Sequence, residues 1–170
     1  VFVDSCVLLD LFTDDPNWAD WSESILEKYS KTNTLYINSI VYTEVSIGFD
    51  KIEEVEAAIS ELGIKVLEIP REALFLTGKV FLQYRRNKGT KRSPLPDFFI
   101  GAHATVSQFE LITRDSAKYN TYYPQLKLID PKSEDPSSAT EDTKRFDKDT
   151  VLQEKLKHTK KLAEVNQADY

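Results

Sequence analysis

The chain has 170 residues, 41% of them hydrophobic, and a formal net charge of −6. That is enough to bury one ordinary core but not two large ones, so one domain with an appendage is expected. A negative chain repels nucleic acid at long range, which excludes a general polyanion binder and makes any nucleic-acid partner depend on a local basic patch.

The longest apolar stretches fall far short of the ~20 residues of a membrane span, and no charged-then-apolar leader opens the chain. It therefore reads as soluble and untargeted, with no membrane partner. Its single cysteine, Cys6, cannot make an internal disulfide, which suits a reducing, cytoplasmic setting. The plainer reading of Cys6 is a small buried side chain rather than a reactive thiol. No Met is present, so the initiator and a few leading residues are expected to precede this numbering.

Short β-rich runs alternate with longer helical ones, which predicts an α/β fold with a parallel sheet flanked by helices. The strand candidates are 1–3, 35–37, 65–69, 110–113 and 126–129. Between the first two, Asp15-Pro16 supplies a cap and a first-turn proline for a helix to about Ser30, with Trp18, Trp21, Ile25 and Leu26 on or near one face. Asn38 can cap the next helix, which carries Glu44. Asp50 and Glu53 have capping-box spacing for a helix to about Leu62, stopped by Gly63. Pro70 opens a long helix through Arg86 that Gly89 ends, and Pro96 opens another through about Gln108.

After Pro131 the texture changes. The expected divisions are a folded domain over 1–131, a polar linker over 132–149 and a helical tail over 150–170. Leu152, Leu156 and Ala163 give the tail a thin apolar face, which suits docking on a dimer partner or a neighbouring groove better than folding alone. Its Lys155, Lys157, Lys160 and Lys161 offer a second reading, restraint of an acidic cleft.

Four acids stand at the edges of apolar segments: Asp4, Glu44, Asp97 and Asp115. Parallel strands joined by right-handed crossovers put their C-termini on one edge, so Asp4 and Asp115 are expected to share it. Glu44 lies on a helix face with apolar neighbours, and Asp97 lies in a first turn, where the helix dipole favours an anion. Converging carboxylates need a cation. Oxygen ligands without His or Cys support suit Mg²⁺ or Mn²⁺, whose usual chemistry in proteins is phosphate-ester cleavage or transfer. Taken singly, each acid is as well explained as a cap or surface residue, which is also the reading for Asp10, Asp14, Asp15 and Asp20.

A basic patch does exist. From Arg85 to Arg92 (RRNKGTKR), five of eight residues are cationic and none is acidic. Such runs are usually solvated loops, but this one shortly precedes Asp97, so Arg85, Arg86, Lys88, Lys91 and Arg92 are candidates for substrate phosphates. Arg114 is another, with pairing to a carboxylate as an equal reading. His103 reads as a packed structural residue. For Trp18, Trp21, Phe75, Phe81, Phe98 and Phe99, core or interface is the default over base stacking.

VFVD around Asp4, SIVYTEVSIG around Glu44, LPDFFIGAHA around Asp97 and LITRD ending at Asp115 together resemble the PIN-domain ribonucleases, in particular the VapC-type toxins of toxin–antitoxin modules. The resemblance runs over residues 1 to about 131. It implies a PIN-like three-layer fold with a five-stranded parallel sheet, a homodimer, Mg²⁺ or Mn²⁺ at the acidic cluster, single-stranded RNA as substrate and a cognate protein antitoxin.

Carried over by position, it implies Asp4 and Asp97 as direct metal ligands, Glu44 and Asp115 completing the quartet, and Ser5 and Thr113 in support. Cys6 departs from the Asn or Ser common at its position. The segment beyond 131 has no counterpart. Two other readings stand beside the toxin: a PIN nuclease of ordinary RNA maturation, and a catalytically silent scaffold that binds RNA or protein.

Overall fold

A computed structural model describes residues 1–133. The expected linker beyond Ser133 and the expected tail helix lie outside the described residues. Five short strands, β1 (Phe2–Val3), β2 (Tyr36–Asn38), β3 (Lys65–Leu67), β4 (Leu111–Ile112) and β5 (Leu128–Ile129), form one sheet in the order β3-β2-β1-β4-β5. Every pairing is parallel, with Phe2 in register with both Tyr36 and Leu111. All five strands predicted from the sequence are present, most of them shorter than expected.

The chain runs outward from β1 through β2 to β3, then returns to build β4 and β5 on the other side of β1. The direction reverses between β1 and β4, and in a parallel sheet the crevice beyond that switch point is where ligands bind.

Seven helices cover the sheet among the described residues: α1 (Ser5–Phe12), α2 (Ala19–Ser30), α3 (Ser39–Ser46), α4 (Ile52–Glu61), α5 (Arg71–Arg86), α6 (Pro96–Val106) and α7 (Ser116–Tyr122). The core joins Phe2, Val3, Ile37, Leu111 and Ile112 of the strands to Val7, Leu8 and Leu11 of α1, Val41 and Val45 of α3, and Ile100, Ala102 and Ala104 of α6. Burial of such side chains is the main favourable term, ~25 cal/mol per Å² of apolar surface removed from water.

Helices α1 and α7 have no counterpart in the sequence reading. SCVLLDLF shows no clear polar face because α1 is buried on most sides, and a short apolar run does not reveal its period. SAKYNTY is a two-turn helix built largely from polar residues.

Several boundaries differ for local reasons. Helix α2 starts at Ala19, and Asp15 instead accepts from the amides of Asn17 and Trp18 in the turn before it. The Asp50–Glu53 capping box does not form, because the cap position falls on Lys51, which supplies no side-chain acceptor. Gly63 does end α4, with φ +68°. After α5 the left-handed position is taken by Lys88, φ 64°. Gly89 is needed for closeness instead: a Cβ there would lie 2.2 Å from the Tyr84 ring. Helix α6 ends at Val106, before the expected Gln108, whose φ of 56° breaks the helical path. Among the described residues no helix is long and apolar enough to cross a membrane.

Candidate active site

Asp4 follows β1 directly and is the N-cap of α1. Its backbone amide still belongs to the sheet, donating to Ile112 O at 3.0 Å. Asp4 is 4% exposed and its carboxylate is held from three sides: the Ser5 amide donates to Oδ1 at 2.8 Å, the Thr113 hydroxyl to Oδ2 at 2.7 Å, and the Cys6 thiol to Oδ2 at 3.5 Å. The Thr113 hydroxyl also accepts from the Asp115 amide at 3.1 Å, so one side chain ties the ends of β1 and β4 to the start of α7. Burial raises the Asp4 carboxyl above the usual range and Asp97 pushes it the same way, against the Thr113 and Cys6 hydrogen bonds. A buried carboxylate in this state gains from a nearby cation.

Although Cys6 departs from the Asn or Ser common at its position, its thiol still donates to the Asp4 carboxylate. Burial, then the Asp4 charge, pushes this thiol up to about 12, so it is not a nucleophile at neutral pH.

Glu44 comes from α3, whose N-cap is Asn38, accepting from the Ile40 and Val41 amides at 3.1 Å each. Asn38 Nδ2 also lies 3.4 Å from Nδ1 of His103 on α6. That buried contact relates the helix bearing Glu44 to the helix bearing Asp97, and it bears out His103 as a structural residue. Burial raises the Glu44 carboxyl; a hydrogen bond from the Ser5 side chain and the Lys118 charge oppose this, while Asp4 and Asp97 add to it. Its Oε2 is buried with no hydrogen-bond partner. Ile47, the C-cap of α3, is 84% exposed, so the apolar neighbours expected on the Glu44 face do not extend to it.

Asp97 sits in the first turn of α6, after Pro96. That helix packs closely because Gly101 faces the Tyr123 ring, where a Cβ would lie 2.3 Å from a ring carbon. Asp97 Oδ2 and Asp115 Oδ2 both pair with the Lys118 ammonium, at 3.1 and 3.3 Å. Burial pulls Lys118 down, but the two carboxylates outweigh it and the group ends raised. Tyr119, next to it, is buried with its hydroxyl close enough to Asp4 to feel its charge, though without a well-formed hydrogen bond.

The four acids are therefore linked: Asp97 raises Asp4, both raise Glu44, and Asp97 and Asp115 share the Lys118 ammonium. Among the described residues no group of three or more His, Cys, Asp or Glu side chains is arranged to hold a metal ion. Even so, the donor set is all hard oxygen, and the orphaned Glu44 oxygen and the raised carboxyls of Asp4 and Glu44 are what a divalent cation would relieve.

The remaining candidates divide. Arg85, Arg86, Lys88, Lys91 and Arg92 are all exposed, on the end of α5 and the loop leading to Asp97. Arg85 is partly engaged, its Nη1 donating to Gly89 O at 2.9 Å and Lys91 O at 3.0 Å, which staples the loop. Arg114 pairs with Asp10 at 3.0 Å and lies over the Trp18 ring, so the carboxylate reading holds for it. Asp10, expected on a solvated face, is buried and also receives the Ser22 hydroxyl at 2.9 Å. Sequence reasoning missed Lys118 and Tyr119. The available signal was their place one turn after Asp115.

An acidic cleft at the switch point of a five-stranded parallel sheet is matched by a known family. The PIN domain family model covers residues 1–122. The chain belongs to the PIN-domain family. PIN domains are generally nucleases that use divalent metal ions.

Solved structures with this PIN fold include VapBC2 from Rickettsia felis bound to a promoter DNA fragment, at 22% identity and TM-score 0.58 over 76% of this chain and 96% of that one. A toxin–antitoxin complex from Klebsiella pneumoniae is similar at 21% identity and TM-score 0.57, over 77% and 97%. VapBC-1 from nontypeable Haemophilus influenzae is similar at 19% identity and TM-score 0.57, over 76% and 96%. No curated protein matches the sequence. At these identities the likeness is one of fold.

Proposed function

We propose that this PIN domain is an endoribonuclease dependent on Mg²⁺ or Mn²⁺, cleaving single-stranded RNA as the toxin of a type II toxin–antitoxin pair. What supports the chemistry is the electrostatic coupling of Asp4, Glu44 and Asp97, the Lys118 that Asp97 shares with Asp115, and a buried Glu44 oxygen that has no partner. Likeness of fold to VapBC and toxin–antitoxin complexes supports the biological setting. A cognate protein antitoxin and a homodimer belong to the same proposal.

When bound, the metal supplies an activated water and neutralises charge on the phosphoryl oxygens. Asp4 and Asp97 would hold it, with Glu44 and Asp115 completing the set. The chain's own residues do the rest. Thr113 and the Ser5 amide fix both oxygens of Asp4, so the carboxylate needs little reorganisation. Asn38 and His103 keep the Glu44 and Asp97 helices in a fixed relation. Arg86, Lys88, Lys91 and Arg92 give an otherwise negative protein a positive approach for the RNA backbone.

The test is cleavage of RNA by the purified protein with Mg²⁺ or Mn²⁺, beside Asp4→Asn and Asp97→Asn. Loss of cleavage in both variants with an unchanged circular dichroism spectrum is expected. Full metal-dependent activity in either one overturns the assignment. A small upstream reading frame whose product binds and silences the protein would distinguish a toxin from a nuclease of ordinary RNA maturation.

A further inference from the structure

The positive charge already present in the cleft is Lys118. It stands three residues after Asp115 on α7, and its ammonium reaches the Oδ2 atoms of both Asp97 and Asp115 within 3.3 Å. Its side chain is 52% exposed, so it stays open to solvent and to an arriving substrate while anchored by the helix below. The buried Glu44 Oε2, within reach of the Lys118 charge, has no hydrogen-bond partner.

A divalent ion held by Asp97 and Asp115 would need the place that the ammonium takes between them. That puts it against the ammonium, where like charges repel strongly in a partly buried site. The second ion and the lysine therefore compete for one position. The lysine is covalently fixed one turn from Asp115, whereas the ion must first be partly dehydrated. Displacing the lysine would also break two charge-assisted contacts.

We propose that Lys118 fills one of two cation positions in this cleft, so that the protein takes a single divalent ion, on the Asp4–Glu44–Asp97 side. The inference rests on the metal-dependent reading above and changes it in one respect, giving Asp115 to Lys118 instead of to the ion. There Lys118 offers hydrogen-bond donors to a phosphoryl oxygen at the point where a second metal would otherwise neutralise charge.

The experiment is a stoichiometric Mn²⁺ titration without RNA, by calorimetry and by electron paramagnetic resonance, on the full chain and on Lys118→Gln, Lys118→Met and Lys118→Arg. Wild type and Lys118→Arg are expected to take one ion per chain. Lys118→Gln and Lys118→Met are expected to take two, with the broadened signal of two neighbouring Mn²⁺ ions.

Two ions in the wild type overturn the proposal without recourse to any variant, and so does a single ion in both neutral variants. In either case the metal-nuclease reading survives, provided Asp4→Asn reduces the uptake. No uptake by the wild type removes that reading, and this inference with it.

Discussion

The Thr113 hydroxyl donates to Asp4 Oδ2 at 2.7 Å across 109 residues of chain, and in the same position it accepts the Asp115 amide. This joins the ends of the two strands that flank the switch point, and it sets the orientation of the most buried acid in the cleft. Thr113→Val keeps the shape but leaves a buried carboxylate oxygen short of a partner, at a cost of about 1–3 kcal/mol. Urea denaturation is expected to show that loss, together with weaker cleavage, whereas Thr113→Ser retains most of both. Equal stability of the Val and wild-type proteins would show that the contact carries no energy.

Metal-free protein is expected to lose stability as pH rises from the ordinary carboxylate range. Asp4 and Glu44 are both raised, chiefly by burial, from 3.8 and 4.5. Between those values and the raised ones the folded chain keeps protons that the unfolded chain has released, so the penalty is absent below the window and complete above it. Thermal midpoints in chelator are therefore expected to carry a component from these two groups that falls as pH rises through the window. Asp4→Asn is expected to remove part of this slope and to raise the thermal midpoint at neutral pH, because the amide carries no charge to desolvate. A slope of the opposite sign in chelator would contradict the burial argument.

Arg114 contributes to stability through Asp10. Asp10 is 2% exposed and Arg114 is one-third exposed, so solvent weakens the pair but does not dissolve it. Arg114→Ala leaves a buried carboxylate with only Ser22 as donor and is expected to cost about 1–3 kcal/mol. The salt dependence of RNA binding is expected to stay unchanged in this variant at temperatures where it remains folded. A reduced salt slope would return Arg114 to the RNA surface.

The basic loop makes the opposite prediction. Replacing Arg86, Lys88, Lys91 and Arg92 by Ala is expected to weaken RNA binding and flatten its salt dependence, the slope falling by ~0.7 for each single-strand phosphate that is no longer neutralised. Folding stability is expected to change little, because these side chains are exposed. Arg85→Ala differs, since its guanidinium holds the Gly89 and Lys91 carbonyls. It is expected to make the loop more susceptible to limited proteolysis. RNA affinity with an unaltered salt slope in the fourfold variant would leave the segment an ordinary loop.

The sequence by itself determined the succession of strands along the chain and the positions of the acids. Apolar runs bounded by Pro, Gly and Asn are local signals, and so are an acid one residue beyond a strand and an acid behind Pro96. These depend on backbone preferences that act over a few residues, which is why Asp4, Glu44, Asp97 and Asp115 were legible as candidates before any fold was known.

Only the tertiary structure decided which charges meet. Asp10 and Arg114 are far apart in sequence, yet the fold of α1 and the end of β4 brings them into an ion pair. Asp10 looked like a surface acid because nothing within one helical turn revealed its partner. Lys118 drew no reading from the sequence, and its position between Asp97 and Asp115 depends on how α6 and α7 pack. Electrostatic energy depends on distance through space and on burial, and neither is a function of separation along the chain.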